Sequence, residues 1–233
     1  RGIRGREETV QPNAILVAMT RDLTHARWIN EPANHTVSPQ DARITTDPGT
    51  DLWQRTYYGF RNDNAHVLVW DETENVTLTV RVRFDYRSLF DQCGVVVYMN
   101  EDCWFKASIE YHTTAFSRLG SVVTNHGYSD WATVDIASRD EMWYRLSRRG
   151  PDFLLESSFD GGDFTQMRVF HLSALGETTA AMGGEDPPRP PTTAAPIGLY
   201  ACSPLDSSFT AIFDRYTVEP SRWTAHLAQK THL

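Results

Sequence analysis

The sequence predicts an all-β fold, two antiparallel sheets packed face to face as a sandwich or jelly roll. Three observations lead there. "NVTLTVRVRF" (75–84) alternates Val76, Leu78, Val80, Val82 and Phe84 with Thr77, Thr79, Arg81 and Arg83, the period of a strand with one buried face. A series of short segments of the same kind follows at near-regular spacing, separated by turn signals. No convincing amphipathic helix longer than two turns precedes the C-terminus, so there are no crossovers for a parallel sheet.

Residues 1–23 read as a charged, irregular N-terminal arm with at most one short strand. "NAILVAM" (13–19) is too short to span a membrane and lacks a following small-residue cleavage pattern. The chain starts at Arg rather than Met, which leaves the arm open as a processed or added end. A single domain is expected over 24–220, its strands beginning near "ARWINEP" (26–32). "CGVVVYM" and "CWFKASIEY" flank "NED" (100–102) and predict a hairpin. "SVVTN", "WATVDI", "MWYRLSRR", "FLLESSF", "TQMRVFHL", "IGLYACS" and "SFTAIFDRYTV" continue the series, and "FDGGDF" (159–164) supplies an Asp-Gly turn for a second hairpin. Residues 175–196 are rich in Gly, Pro, Thr and Ala with almost no core former, and predict a long flexible loop inside the domain. Residues 221–233 read as a short terminal helix or a frayed tail.

Bulk properties narrow the function. A chain of 233 residues with 40% hydrophobic and 22% charged residues can build a core of normal size. A formal charge of −8 without a basic cluster argues against nucleic acid and anionic membrane as partners. Three cysteines, Cys93, Cys103 and Cys202, lack metal-ligand spacing and read as free, buried thiols, which favours a reducing compartment and a cytoplasmic location. The eight histidines are scattered and form no ligand set, so no metal or cofactor is expected; neither a Gly-x-Ser-x-Gly elbow nor a phosphate loop is present.

"WFKASIEY" (104–111) carries the strongest functional signal. Alternation sends Phe105, Ala107, Ile109 and Tyr111 to one face and Trp104, Lys106 and Glu110 to the other. Lys106 and Glu110 stand about 13 Å apart along a strand, so each needs a partner elsewhere. In "WATVDI" the core positions are Ala132, Val134 and Ile136, which turns Trp131, Thr133 and Asp135 outward; in "MWYRL" Met142, Tyr144 and Leu146 turn Trp143 and Arg145 outward. If the three strands share a sheet, one face holds three tryptophans with Lys106, Glu110 and Arg145. Indole faces with a few fixed polar groups suit a carbohydrate or a small polar metabolite. The competing reading is a loop, 175–196 or the arm, laid over that face, making the tryptophans a second small core and the charges an ion-pair network.

Five segments in order, "TDPGTDLWQRTYYGF" (46–60), "FDQCGVVVYMNEDCWFKASIEY" (90–111), "SVVTNHGYSDW" (121–131), "MWYRLSRRG" (142–150) and "IGLYACSP" (197–204), resemble the concanavalin A-like family of unknown function known as regulation-of-enolase-like proteins. The resemblance spans about residues 25–220. It rests on Asp91 to Gly94, on Trp104-x-Lys106-x-x-x-Glu110, on Ser129-Asp130-Trp131 and on Ser203-Pro204. It implies a concanavalin A-like jelly-roll β-sandwich; the Pro-rich loop and the arm depart from the pattern. Such folds host lectins, hydrolases, lyases and interaction modules, so the fold alone names no activity.

Glycoside hydrolysis needs two carboxylates about 5 to 9.5 Å apart. Related glucanases carry theirs on one strand as Glu-x-Asp-x-x-Glu, where this chain has Lys106, Ser108 and Glu110. Glu110 is therefore the candidate catalytic residue if the protein is an enzyme, with Asp130 or Asp135 as its partner. A lysine beside a lone glutamate favours the ionised carboxylate, which suits a base or an acceptor better than an acid. The expectation is a non-catalytic, lectin-like domain in which Trp104, Trp131 and Trp143 stack on the ligand while Lys106, Glu110, Asp130 and Arg145 take its hydroxyls or an anionic substituent. Asp130 is as readily a side-chain cap on its turn. A hydrolase or lyase, and a regulatory module docking a protein partner on the same face, remain alternatives.

Overall fold

The computed structural model describes residues 21–225. Its strands are β1 (Arg27–Ile29), β2 (Asn34–Val37), β3 (Ala42–Thr45), β4 (Leu52–Gln54), β5 (Arg61–Asp63), β6 (His66–Glu72), β7 (Val76–Phe84) and β8 (Gln92–Asn100). They continue as β9 (Cys103–Tyr111), β10 (Phe116–Asn125), β11 (Tyr128–Ala137), β12 (Glu141–Arg149), β13 (Asp152–Ser158), β14 (Thr165–His171), β15 (Ala195–Cys202) and β16 (Thr210–Pro220). One antiparallel sheet has the order β1-β6-β15-β8-β9-β10-β11, the other β14-β13-β12-β7-β16-β3-β2. The two pack as the expected concanavalin A-like sandwich, and β4-β5 form a separate hairpin.

The main core lies between the sheets. Val76, Leu78, Val80, Val82 and Phe84 face it from β7, and Met142, Tyr144 and Leu146 from β12, as the alternation requires. Val95 and Val97 on β8, with Phe105, Ala107 and Ile109 on β9, close it from the other side. Both predicted hairpins form: β8 and β9 turn after Asn100, and β13 and β14 turn through 159–164. All three cysteines are buried and free. Among the described residues no helix is long and apolar enough to cross a membrane.

Two expectations change. Ala132 and Val134 read as core residues but are exposed, Val134 at 60%, on the edge strand β11, where they line an open groove with Met142, Ser157 and Met167 of the facing sheet. The loop 175–196 does not lie over the Lys106 face. Arg148 and Arg149 on β12 tie it down instead, donating to the carbonyls of Thr193 and of Met182 and Glu185. The arm 1–20 and the tail 226–233 fall outside the described residues; residues 221–225 contain no helix. The described end of the arm, Arg21, makes a two-pronged bond to Glu72, 3.0 Å on each prong.

Candidate functional site

The outer face of the β8-β9-β10-β11 region is the floor of a cavity of about 370 Å³. Register sets the floor row by row. Lys106 lies opposite Val96 on one side and Val122 on the other, and Val122 lies opposite Trp131. Two residues along β9, Ser108 faces Gly94 and Gly120; two further, Glu110 faces Gln92 and Arg118. Gly120 matters at this point, because a Cβ there would sit 2.8 Å from the Ala132 carbonyl oxygen and 3.1 Å from Trp131 Nε1. Its bare backbone lets the Trp131 indole lie close over β10.

The β4-β5 hairpin forms the opposite wall with Asp51, Trp53, Tyr58, Phe60 and Asn62, while Phe90, Pro204 and Leu205 close the rim. Three clips fix the hairpin to the sheet. Thr50 N donates to the Ser203 carbonyl at 2.9 Å and Ser203 N to Thr50 Oγ1 at 3.0 Å. Gln54 N donates to the buried Ser129 Oγ at 2.9 Å, and the Tyr98 hydroxyl donates to the Asp63 carboxylate at 2.8 Å. Ser129 and Ser203, met in the sequence as motif residues, therefore hold the wall in place. The Trp53 and Trp131 rings meet edge to face, centroids 6.4 Å apart.

Lys106 reaches across to this wall. Its Nζ donates to Asp51 Oδ1 at 3.2 Å and lies 5.9 and 5.8 Å from the Trp104 and Tyr200 ring centroids. Burial opposes the ammonium charge, yet Asp51, with lesser help from Cys202 and Glu110, holds its pKa above the ordinary value. Glu110 accepts from Gln92 Nε2 at 3.3 Å through Oε2, while its buried Oε1 has no hydrogen-bond partner and lies 4.0 Å from His112 Nε2, itself unpartnered. Burial pushes the Glu110 carboxyl up to about 7; Asp51 adds to that, and Lys106, Arg118 and the Gln92 bond oppose it. Burial, and then Arg118, depress His112.

Lys106 favours the ionised Glu110, as expected, but Asp51 engages the lysine and desolvation outweighs its field. The structure supplies the second carboxylate from an unexpected place. Asp51 shares the cavity with Glu110, whereas neither Asp130 nor Asp135 lines it.

Four of the seven predicted site residues lie elsewhere. Trp104 is on the right face but fully buried, in a second core with Leu52, Val96, Tyr98, Val122 and Tyr200, its Nε1 donating to the Glu101 carbonyl at 3.2 Å. Trp104 is covered, but by the β4-β5 hairpin and not by the 175–196 loop of the competing reading. Asp130 alternates with Ser129 and Trp131, so it points the other way, and it accepts from Arg168 Nη2 at 2.9 Å. It neither lines the cavity nor caps its turn. Trp143 and Arg145 belong to β12, which pairs with β7 and β13 in the other sheet. There Trp143 packs on Gly161 of the Asp-Gly turn, and Arg145 makes a two-pronged bond to Glu156, 2.7 Å on each prong, with its guanidinium 4.2 Å from the Phe164 ring centroid.

Lys106, Glu110 and Trp131 remain, joined by residues that strand alternation alone did not single out: Asp51, Trp53, Tyr58, Phe60, Asn62, Gln92 and Arg118. A signal for the hairpin was present in "DLWQRTYYGF", which packs Trp53, Tyr57, Tyr58 and Phe60 into eight residues. Among the described residues no three His, Cys, Asp or Glu side chains converge to hold a metal ion.

A family model described as a protein of unknown function (DUF1349) matches residues 28–221. "Regulation of enolase protein 1" of Saccharomyces cerevisiae is 28% identical over 212 residues, covering 91% of this chain and 95% of that protein. A solved structure of a functionally unknown protein from Saccharomyces cerevisiae superposes with a TM-score of 0.72 at 26% identity, over 85% of this chain and 98% of the other. A GH43 protein from Bacillus licheniformis shares the fold, with a TM-score of 0.55 at 15% identity over 77% of this chain and 33% of that one.

Proposed function

This chain belongs to the DUF1349 family, and from that premise we propose that it is a lectin-like binding domain that takes a carbohydrate or sugar-like metabolite into the cavity between β9 and the β4-β5 hairpin. The observation that carries the reading is the pairing of Trp53 and Trp131, 6.4 Å apart, beside a polar row of Gln92, Lys106, Ser108 and Glu110 in one cavity. Aromatic walls take the C–H faces of a sugar ring, and a few fixed polar groups take its hydroxyls. A cavity of about 370 Å³ is at the small end of ligand sites, which suits one or two sugar rings. The hairpin is clipped down at several points, so the wall is pre-formed and little ordering cost is left for binding.

A second reading, glycoside hydrolysis, gains support from one observation: Asp51 and Glu110 line the same cavity, and Glu110 titrates near 7. A protonated and an ionised carboxyl group flanking one bond are the parts that this chemistry needs. Against it, Asp51 Oδ1 is occupied by the bond from Lys106 Nζ and is not free to attack a sugar carbon or take a proton. A glycan array combined with a hydrolysis screen, on the wild type and on Glu110→Gln, separates the two. The binding reading expects saccharide binding without turnover in the wild type, and an affinity altered in the variant. Turnover that disappears in Glu110→Gln replaces it with the hydrolase.

A further inference from the structure

The residue that best identifies the ligand is Arg118. It sits directly opposite Glu110 across adjacent strands, where opposite charges ordinarily pair. Here they do not: the Glu110 carboxyl turns to Gln92 and His112, and no Arg118 nitrogen comes within ion-pair distance of it. The guanidinium lies over the Trp131 ring, 5.7 Å from its centroid, and its one ion pair among the described residues is a long one to the exposed Asp135, opposite it on β11, Nε to Oδ1 at 3.6 Å. Among the described residues its N–H donors make no hydrogen bond. A flat cationic fork, held on an aromatic ring at the cavity wall with its donors unused, is a receptor for a planar anion.

On the basis of the binding function proposed above, we propose that the ligand is a monoanionic sugar acid and that Arg118 binds its carboxylate. The charges around the cavity favour one negative charge rather than two. Lys106 is matched by Asp51, and Glu110 in its protonated form carries none, which leaves the Arg118 charge facing the cavity. Asp135 lies on the solvent side, 68% exposed, where its field is screened. A phosphate carries about −1.5 to −2 at neutral pH and brings surplus charge toward Asp51. A carboxylate matches the fork and adds one.

The same arrangement makes capture depend on pH. Glu110 is faced by Lys106 along β9, His112 just past its end, Gln92 from β8, Arg118 from β10 and Asp51 from the hairpin. When it ionises above about 7, a new negative charge appears opposite Arg118 and competes with the ligand for it. Affinity for the anion therefore falls as pH rises through neutrality.

Calorimetric titration of the full chain with glucuronate, galacturonate, glucose and glucose 6-phosphate, at pH 6 and pH 8, tests the proposal. The expected result is a uronate bound about tenfold or more tighter than glucose at pH 6, with the advantage reduced at pH 8 and abolished in Arg118→Gln. Arg118→Lys, which keeps the charge but loses the fork, is expected to retain part of it. Glucose bound as tightly as the uronates, or a uronate preference that persists in Arg118→Gln, overturns the role of Arg118 and leaves saccharide binding standing. Preference for glucose 6-phosphate overturns the carboxylate assignment. Failure of all four to bind, with a glycan array also blank, overturns both this proposal and the binding function on which it rests.

Discussion

The Lys106 ammonium and the Asp51 carboxylate meet at 3.2 Å, an ion pair that links the sheet floor to the hairpin wall beside the backbone and hydroxyl clips. Both side chains are largely buried, at 6% and 17% exposure. Removing the cation leaves Asp51 with only the Leu52 amide and a long 3.5 Å bond from Asn62. Lys106→Met is expected to destabilise the fold by about 2–4 kcal/mol, the scale of a broken buried pair whose survivor keeps some access to water. In the double variant Lys106→Met/Asp51→Asn much of that loss should return. Urea unfolding of the four proteins measures the coupling, and additive losses would show that the pair does not clamp the hairpin.

Glu110 sets a pH dependence of stability. Its carboxyl rises from the ordinary 4.5 to about 7 on folding, so between those values the folded state holds a proton that the unfolded state has released. Stability contributed by this group is fully present below about 4.5 and is lost as pH rises through about 7. A shift of this size corresponds to about 3 kcal/mol at most. Glu110→Gln should be the more stable protein at pH 8, with the difference gone near pH 4. Thermal melts across that range give the comparison, and a difference that grows toward acid pH would contradict the burial of Glu110.

Two tryptophans on the same sheet face should behave oppositely. Trp104 is fully buried in the second core, and Trp104→Ala should cost about 3–5 kcal/mol. Trp131 lines the cavity, and Trp131→Ala should leave a folded protein with weakened saccharide binding. Denaturation midpoints and titrations on both variants separate the roles; a reversed pattern would exchange them.

The Ser129 hydroxyl accepts the Gln54 amide at 2.9 Å and shares a 2.7 Å bond with Thr124 Oγ1, all of it buried. Ser129→Ala leaves that amide without its acceptor, at a cost of about 1–3 kcal/mol. Hydrogen exchange should speed up first at residues 52–54, with the β7 and β12 amides unaffected. Uniform acceleration would mean that the hairpin is not separately clipped.

The sandwich was legible because strand alternation is a local property. Val76 to Phe84 and Met142 to Leu146 announce their buried faces within a few residues. Which sheet a strand joins is not local, and this misplaced Trp143 and Arg145: the sequence of β12 carries no mark that its neighbours are β7 and β13 rather than β11. The hairpin wall was obscured for another reason. β4 and β5 are three residues each, too short for a period to register, and Asp51 meets Lys106 across 55 positions. Arg118 lies outside the "SVVTN" segment read as a strand, whereas β10 runs from Phe116 and includes Gly120, which serves the close approach of Trp131. Of the family-motif residues, Lys106 and Glu110 line the cavity, while Ser129 and Ser203, which had no role read from the sequence, secure its wall.

The indole N–H resonances of the seven tryptophans report most directly on the cavity itself. Adding a bound saccharide to ¹⁵N-labelled protein should shift the signals of Trp53 and Trp131 and leave those of Trp104 and Trp143 in place, each assigned by single Trp→Phe replacement. Shifts at Trp143 without movement at Trp53 and Trp131 would put the ligand on the other sheet and contradict the account.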